Sequence, residues 1–269
     1  MKIAFIGAGV MAEAIISSLL KKDAAKPVDI TASDVVQIRL AELKSRYGIE
    51  CTQSNADAIM GKDVVVLSVK PQVFPQVADG LRGKFRPDQL VLSIMAGVRI
   101  DSLKLELAHG SIVRVMPNTP AQIGEGMSVW TATSAVRENQ KEMARTILSA
   151  LGKEIHVEDE KYIDMATAVS GSGPAYVFLI IEALTDAAVH IGMPRPMASQ
   201  LVMQTVLGSA RFAESSGKHP AELKGMVTSP GGTTAEGLLS LEKGGLRGIL
   251  TQAVIAAYEK AQSLGKERK

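Results

Sequence analysis

The sequence predicts an α/β chain in which a doubly wound parallel sheet over residues 1–160 is followed by an all-α domain over residues 161–269. Short apolar runs alternate with helical patterns in the first part, as they do in doubly wound sheets. Beyond about residue 160 this alternation stops and only helical patterns remain. The length of 269 residues also suits two domains, at roughly 150 residues per domain.

The first element carries a glycine pattern typical of a dinucleotide-binding loop. Residues 2–6 are predicted to form a buried strand, residues 7–12 spell GAGVMA, and an apolar helical pattern follows. Gly7 permits a tight turn, and Gly9 lets the backbone approach a pyrophosphate. The phosphates would then bind at the helix N-terminus, where unpaired N–H groups favour anions. This context predicts a Rossmann-type sheet, whereas Glu13 interrupts the apolar stretch that a signal peptide would need.

The remaining strands are predicted from apolar runs. They are Val28–Ala32, Asp63–Val69, Gln89–Met95, Ile112–Met116, Met127–Thr131 and Glu154–Val157. Two of these runs are apolar throughout, which indicates that helices cover both faces of the sheet. Several strands are followed by loops that contain proline or glycine. Because ligands bind at the carboxyl ends of parallel strands, these loops are expected to line a cofactor cleft.

Composition excludes several classes of function. The net charge is only +2 and no basic run is interleaved with aromatic residues, so a nucleic-acid partner is not expected. A single cysteine, Cys51, suits a reducing cytoplasm. The four histidines are scattered without the spacing of metal ligands, so no metal site is expected. The uncharged stretch 169–181 is shorter than the ~20 residues of a membrane span, and no membrane partner is expected.

The helical part predicts an association of the chain with itself. Helices are expected at about residues 174–191, 196–214 and 246–264, and the first is apolar on most of its circumference. A short helical segment cannot bury such a helix alone. A second copy of the chain is therefore the expected partner, and the domain boundary is expected in the charged stretch 158–161.

A second glycine signature, SPGGTT, occupies residues 229–234. It is expected to separate a helix that ends at Ser229-Pro230 from one that starts at Thr233-Thr234. Glycines followed by hydroxyl residues at a helix N-terminus can form a pocket of N–H donors for a carboxylate. Plain capping by Thr233 or Thr234 explains the same pattern, and the pattern alone leaves both interpretations open.

Seven motifs together resemble the pyrroline-5-carboxylate reductase family. They are GAGVMAEA at 7–14, VKP at 69–71, AGV at 96–98, MPNTPA at 116–121, VSGSGPAYVF at 169–178, GMPR at 192–195 and SPGGTTAEGL at 229–238. The motifs run in order along the whole chain, so the resemblance is specific. It implies reduction of the cyclic imine 1-pyrroline-5-carboxylate to L-proline, the final step of proline biosynthesis, with NADPH or NADH as hydride donor.

The resemblance also implies roles for individual residues. The pyrophosphate loop of the family is matched by Gly7, Gly9, Val10 and Met11, and the residue near the adenosine ribose by Asn55. The loop on the adenosine side is matched by Val69, Lys70 and Pro71. The loop that approaches the nicotinamide is matched by Met95, Ala96 and Gly97. Thr234 matches the catalytic threonine whose hydroxyl meets the substrate ring nitrogen. Ser229, Gly232 and Thr233 match the loop that holds the substrate carboxylate. In the family the helical domains of two subunits interlace, and many dimers assemble into decamers.

The end of the second strand departs from many relatives. It reads Ser33-Asp34 where many relatives have Asn-Arg or a Ser-Pro turn. An acid at this point pairs with a free ribose 2′-OH and repels a 2′-phosphate, which favours NAD over NADP. Alternatively, Asp34 caps a helix that begins at Val35 and leaves Ser33 free to meet a phosphate. The sequence leaves the preference between these coenzymes open.

Two other functions are weighed against the reductase. A hydroxy-acid or F420-type dehydrogenase is disfavoured, because the segment 170–181 has no lysine to serve as acid. A dinucleotide sensor without catalysis is disfavoured by the complete glycine loop and by Thr234. Lys70 is the nearest alternative acid, but the family pattern assigns it to the cofactor loop.

Overall fold

The structure is a computed structural model and describes residues 1–266. The chain divides into two compact units. The first contains residues 1–172 together with the stretch that starts at Ala257, and the second contains Gly173–Ala256. The division into domains 1–160 and 161–269 stays a prediction from the sequence.

The first unit is built on one eight-stranded sheet. Its strands are β1 Ile3–Ile6, β2 Ile30–Ser33, β3 Glu50–Thr52, β4 Val64–Leu67, β5 Leu90–Ser93, β6 Ile112–Met116, β7 Gly126–Ala132 and β8 Gly152–His156. The order is β3-β2-β1-β4-β5-β6-β7-β8, and all neighbouring strands from β3 to β6 are parallel. The α/β class with a doubly wound sheet is confirmed.

Two features of the sheet differ from the sequence prediction. Strand β7 is antiparallel to β6, because only nine residues separate the two strands and a parallel crossover needs a dozen or more. Strand β3 is absent from the predicted strands. It has three residues at the edge of the sheet and no fully buried position, so it lacks the apolar run that identified the others.

Helices cover both faces of the sheet. They are α1 Val10–Lys21, α2 Gln37–Tyr47, α3 Asn55–Ile59, α4 Phe74–Leu81, α5 Ile100–Leu107, α6 Glu138–Leu151 and α7 Lys161–Ala166. Alternate residues of β1 enter opposite cores, Ile3 and Phe5 on one face and Ala4 and Ile6 on the other. This two-sided burial explains why the central strands are apolar at every position. It also leaves the ends of the strands as the place for a ligand.

The second unit is helical throughout its described length. It contains α8 Gly173–His190, α9 Arg195–Ser216, α10 Pro220–Met226, α11 Thr233–Lys243 and the first half of α12 Leu246–Lys266, whose remainder belongs to the first unit. In this unit of the described chain only Thr185 and Ala198 are fully buried. Large apolar side chains of α8, such as Phe178 and Leu179, are more than 60% exposed. One chain therefore leaves most of these apolar faces uncovered.

The stretch Lys161–His190 is long and apolar enough to cross a membrane, judged by length and composition alone. It contains α7, a π-helical turn at Thr167–Gly171 and α8. The expectation that no membrane is involved rests on the uncharged part of this stretch, residues 169–181, and stays a prediction.

Candidate active site

The first glycine loop is fixed by close backbone contacts with the ends of β2 and β4. Gly7 has a φ of +95°, and a Cβ there would lie 2.9 Å from the carbonyl carbon and oxygen of Ser68. The Gly7 N–H donates to the Ser33 carbonyl at 2.8 Å, and the Ser68 hydroxyl donates to the Gly7 carbonyl at 2.7 Å. No residue other than glycine fits this position without moving the backbone.

The loop leads into a helix N-terminus that no side chain caps. Gly9 is the N-cap of α1, and a Cβ built on Gly9 would have no neighbour within 4 Å. Val10 and Met11 form the first turn of this helix. Their backbone N–H groups have no helical partner, and together with the helix dipole they favour an anion at this point. The geometry suits a pyrophosphate, as the sequence predicts.

Asp34 joins the end of β2 to the glycine loop. Its carboxylate accepts the Ala8 N–H at 2.7 Å and the Val36 N–H at 2.9 Å. Helix α2 begins at Gln37 with Val36 as its N-cap, so the interpretation of Asp34 as the cap of a helix beginning at Val35 is wrong. The reason is that the carboxylate links the glycine loop, at the Ala8 N–H, to the loop before α2, at the Val36 N–H, and accepts no N–H from the first turn of α2. The carboxylate thus stands beside the pyrophosphate loop.

Ser33 is fully buried and its hydroxyl donates to the side-chain oxygen of Asn55. This differs from the alternative in which Ser33 is free to meet a phosphate, because its proton is already engaged. The bond links β2 to the start of α3. Asn55, which the family resemblance assigns to the adenosine ribose, therefore lies beside the predicted coenzyme-selecting pair.

An ionic cluster supports the glycine loop from the helical side. Arg39 donates through Nε to the Ala8 carbonyl at 2.8 Å and forms an ion pair with Glu13. Arg46 and the Tyr47 hydroxyl also donate to Glu13, at 2.9 and 2.8 Å. The hydrogen bond from Arg39 lowers the pKa of Glu13, and burial raises the pKa of Tyr47. Sequence analysis did not predict this support, since its members are distant along the chain.

A cleft of about 610 Å³ opens beside the glycine loop. Seven of the predicted cofactor residues line it: Gly7, Gly9, Ser33, Asp34, Asn55, Val69 and Lys70. Six lining residues were not predicted: Val35, Val36, Ser68, Val73, Gln76 and Val77. Val73, Gln76 and Val77 are spaced as on one face of a helix shortly after the VKP motif, and this spacing could have identified them as lining residues. In the described chain, the cleft is lined by one cation, Lys70.

The other predicted cofactor residues do not line this cleft. Val10 and Met11 lie in the first turn of α1, and Pro71 starts a short 3-10 helix, Pro71–Val73. Met95, Ala96 and Gly97 form the loop after β5, in which Gly97 has a φ of +70°. All three sets follow the carboxyl ends of strands, β1, β4 and β5, as expected for loops around a dinucleotide.

Two further family motifs meet in the first unit. The Asn118 side chain accepts the Met127 N–H at 2.9 Å and donates to the Ser170 hydroxyl at 3.2 Å. Ser170 lies in the π-helical turn Thr167–Gly171, a kind of distortion often found at functional sites. The sequence analysis quoted MPNTPA and VSGSGPAYVF only as marks of the family, and the structure brings them into contact.

The second glycine loop precedes α11 in the second unit. Gly231 has a φ of +68°, and the Gly232 N–H donates to the Ser229 carbonyl at 3.1 Å. Gly232 is the N-cap of α11 and no side chain caps the helix, so the interpretation of Thr233 or Thr234 as the cap is wrong. The preceding helix α10 ends at Met226, three residues before Ser229, where it was expected to end.

The two threonines occupy the first turn of α11. Thr233 is exposed and Thr234 is half-buried. Within residues 1–266, neither hydroxyl has a hydrogen-bond partner. Uncapped N–H groups beside an unengaged hydroxyl suit a small ligand that has both a carboxylate and a ring nitrogen.

Two family models match separate parts of the chain. The model for pyrroline-5-carboxylate reductase dimerisation matches residues 160–264. The model described as NADP oxidoreductase, coenzyme F420-dependent, matches residues 2–97. Together they indicate a dinucleotide-binding part followed by a part through which the chain associates with itself.

Relatives match over the full length. Pyrroline-5-carboxylate reductase from Synechocystis sp. is 42% identical over 267 residues, which is 99% of both chains. The solved reductase of Coxiella burnetii is 38% identical with a TM-score of 0.89, and that of Plasmodium falciparum, with NADP bound, is 32% identical with a TM-score of 0.90. Each comparison with a solved structure covers 98% of both chains. The chain therefore belongs to the pyrroline-5-carboxylate reductase family.

Proposed function

We propose that this chain reduces 1-pyrroline-5-carboxylate to L-proline with NADH or NADPH, using Thr234 to orient the substrate ring. Full-length similarity to the reductases supports the reaction. The observation that carries the assignment of Thr234 is the N-terminus of α11, which no side chain caps and where the threonine hydroxyls have no partner in the described chain.

The residues around the first cleft fit a dinucleotide. Gly7 and Gly9 leave room for a pyrophosphate, and the first turn of α1 supplies its N–H donors. Asp34 and Asn55 line the cleft and would contact the adenosine ribose, and Lys70 would supply a positive charge. When bound, the reduced coenzyme supplies the hydride. The chain itself holds the phosphates, and the loop Met95–Gly97 orients the nicotinamide.

The second glycine loop would bind the substrate. N–H groups at the start of α11 would donate to the carboxylate, and Ser229, Gly232 and Thr233 would shape the pocket. The Thr234 hydroxyl bonds to the ring nitrogen. This places one polar group on each polar part of the substrate and fixes the ring orientation.

Imine reduction explains why the site needs no strong acid. A cyclic imine nitrogen can be protonated before the hydride arrives, and the amine product needs no stabilisation of an alkoxide. The segment 170–181 contains no lysine, unlike hydroxy-acid dehydrogenases with a comparable layout. Catalysis then rests on orientation, which can supply several kcal/mol. Lys70 serves the cofactor and not proton transfer.

The same proposal includes the assembly and location of the enzyme. The chain forms a homodimer through its helical part, and dimers can assemble further into a decamer. The uncovered apolar faces of α8 support the dimer. The enzyme acts in the cytoplasm, consistent with its single, half-buried Cys51, and needs no metal, nucleic acid or membrane.

Steady-state kinetics of Thr234→Ala tests the catalytic assignment. Loss of one positioned hydrogen bond in a water-poor site costs ~1.4 to 4 kcal/mol, so kcat/KM for 1-pyrroline-5-carboxylate should fall about 10- to 1000-fold. The Kd of NADH should stay nearly unchanged, because the pyrophosphate loop is formed by other residues.

Thr233→Ala is the matched control, since Thr233 lies in the same helical turn. Its kcat/KM should fall less than that of Thr234→Ala, because Thr233 belongs to the proposed carboxylate pocket but does not face the ring nitrogen. Wild-type kcat/KM in Thr234→Ala would show that the assignment is wrong. If the unaltered chain binds NADH but does not oxidise it with the imine, the chain is a dinucleotide sensor instead.

A further inference from the structure

The last turns of α12 belong to the sheet unit and not to the helical unit. Residues from Ala257 onward cluster with residues 1–172, and Ala261 is 5% exposed. Such complete burial of an alanine shows that the helix end is packed against other elements and is not exposed to solvent. The C-terminal part of α12 is thus a packed component of the cofactor-binding unit.

This helix end contacts Gly97 in the loop after β5. A Cβ at Gly97 would lie 2.7 Å from the Leu264 Cβ, and the φ of Gly97 is +70°. At the next residue, a Cβ at Gly265 would lie 3.4 Å from Cγ and Cδ of Arg99 and 3.8 Å from the Gly97 carbonyl oxygen. The backbone of the loop after β5 and the end of α12 are therefore in direct contact.

The other end of the same loop is held by Glu160. Its carboxylate accepts the Ile100 N–H at 2.8 Å and pairs with Arg99 at 3.8 Å. Glu160 is itself held by the buried Arg114 of β6, at 2.7 Å. Ile100 is the first residue of α5, so this bond fixes the point where the loop ends. Met95 and Val98 are buried in the core, and the end of α12 adds a direct contact at Gly97.

We infer that Leu264 and Gly265 are positioning residues, which press the Met95–Gly97 loop into the conformation that presents the nicotinamide for hydride transfer. The inference rests on the proposed function, in which this loop meets the nicotinamide. The two glycines allow the close approach, since any side chain at Gly97 would push the helix end away. The adenosine half of the cleft, formed by other loops, does not depend on this contact.

The first test deletes residues 264–269 and compares the result with deletion of residues 267–269, which lie outside the described chain. Deletion from Leu264 should lower kcat at least ~tenfold, because an oriented reaction loses rate when one reactant is misplaced. The Kd of ADP-ribose, which lacks the nicotinamide, should stay within about twofold, since the glycine loop that holds its pyrophosphate is unaltered. The shorter deletion should leave both quantities unchanged.

A milder pair of variants covers the case in which the long deletion does not fold. Leu264→Gly removes the Cβ that lies against Gly97, whereas Ser263→Gly weakens the helix at the neighbouring position without removing this contact. Only Leu264→Gly should lower kcat, by about fivefold or more, as expected for loss of a near-attack geometry.

Three outcomes would contradict the inference. The first is an unchanged kcat in both the deletion from Leu264 and Leu264→Gly. The other two are an equal loss of kcat in Ser263→Gly and a loss of ADP-ribose affinity that matches the loss of kcat. The last two would assign a purely structural role to the helix end. Failure of ADP-ribose to bind the unaltered chain would instead contradict the proposed cofactor cleft.

Discussion

The two glycine loops of this chain share a design but differ in their support. Each has a glycine with positive φ followed by a glycine N-cap: Gly7 and Gly9 before α1, Gly231 and Gly232 before α11. The first is surrounded by buried strand ends, and its helix buries six residues. The second precedes a helix with no fully buried residue.

This difference indicates how the two loops work. The first loop is proposed to hold a pyrophosphate with its backbone N–H groups, which requires a rigid geometry, and contacts from Ser68, Asp34 and Arg39 of the same chain fix it. The second loop also carries hydroxyl side chains, which are proposed to bind a smaller ligand. The helix that follows the second loop is not covered by other elements of the single chain, so we expect a second copy of the chain to pack against it and fix its position.

The largest effect is expected from Gly7→Ala. The new methyl group would meet the Ser68 carbonyl at 2.9 Å, and the backbone would be left-handed at a non-glycine residue. The strain costs ~1–2 kcal/mol and the overlap ~1–3 kcal/mol more. We expect the Kd of NADH, measured by fluorescence titration, to rise at least ~100-fold, equivalent to ~2.7 kcal/mol.

Gly9→Ala separates folding from binding at the same loop. No atom lies within 4 Å of the position of its Cβ, so the free energy of unfolding should change by less than ~0.5 kcal/mol. The methyl group nevertheless occupies the approach of the pyrophosphate, and NADH should bind at least ~tenfold more weakly. Unaltered NADH affinity in Gly9→Ala would argue against the proposed pyrophosphate site.

The dependence of the second unit on a partner is tested with Leu179→Asp. Leu179 is 64% exposed in the single chain, and an unpaired charge buried at an interface costs ~3 kcal/mol or more. The dimer should therefore dissociate at least ~100-fold more readily in sedimentation velocity experiments. Val28→Asp, on the sheet unit and 76% exposed, is the control and should leave the dimer intact. A folded, active monomer of the unaltered chain at nanomolar concentration would contradict the prediction.

Gly232→Ala should be milder than Gly7→Ala. The added Cβ would collide with the Ser229 hydroxyl, which is exposed and can rotate away, and the φ of Gly232 is −81°. Thermal melting should therefore show a loss below ~1 kcal/mol. The methyl group still occupies the proposed carboxylate pocket, so kcat/KM should fall about tenfold. Adding Ser229→Ala should restore stability but not activity, whereas restored activity would place the carboxylate elsewhere.

The smallest effect concerns coenzyme choice at Asp34. Asp34→Ala should improve the use of NADPH relative to NADH about tenfold, since a carboxylate facing a phosphate costs at least ~1.4 kcal/mol. The ratio of kcat/KM for the two coenzymes measures this. Asp34→Asn is the control, because it keeps an acceptor for the Ala8 or Val36 N–H but removes the charge. An unchanged ratio with lower stability would make Asp34 only a link between loops.

Elements whose conformation is fixed by neighbouring residues could be predicted from the sequence, whereas those fixed by distant residues could not. The glycine loops were found because a turn with positive φ needs glycine whatever surrounds it. The central strands were found because helices cover both of their faces, which makes every residue apolar. The edge strand β3 was missed, since half-exposed strands lack that pattern. The support of Glu13 by Arg39, Arg46 and Tyr47 joins α1 to α2, and no sequence period relates these helices.

The sequence by itself determined the fold class, the family, the glycine loops and the need for a partner, because these depend on local backbone preferences and on apolar patterning. Tertiary structure decided the direction of β7, the two bonds of the Asp34 carboxylate, and the contact of Leu264 with Gly97. The bond of Asp34 to Ala8 and the contact of Leu264 with Gly97 join residues that are distant along the chain. A single sequence carries no signal for such pairs, since many side chains could satisfy the same local pattern and only packing selects among them.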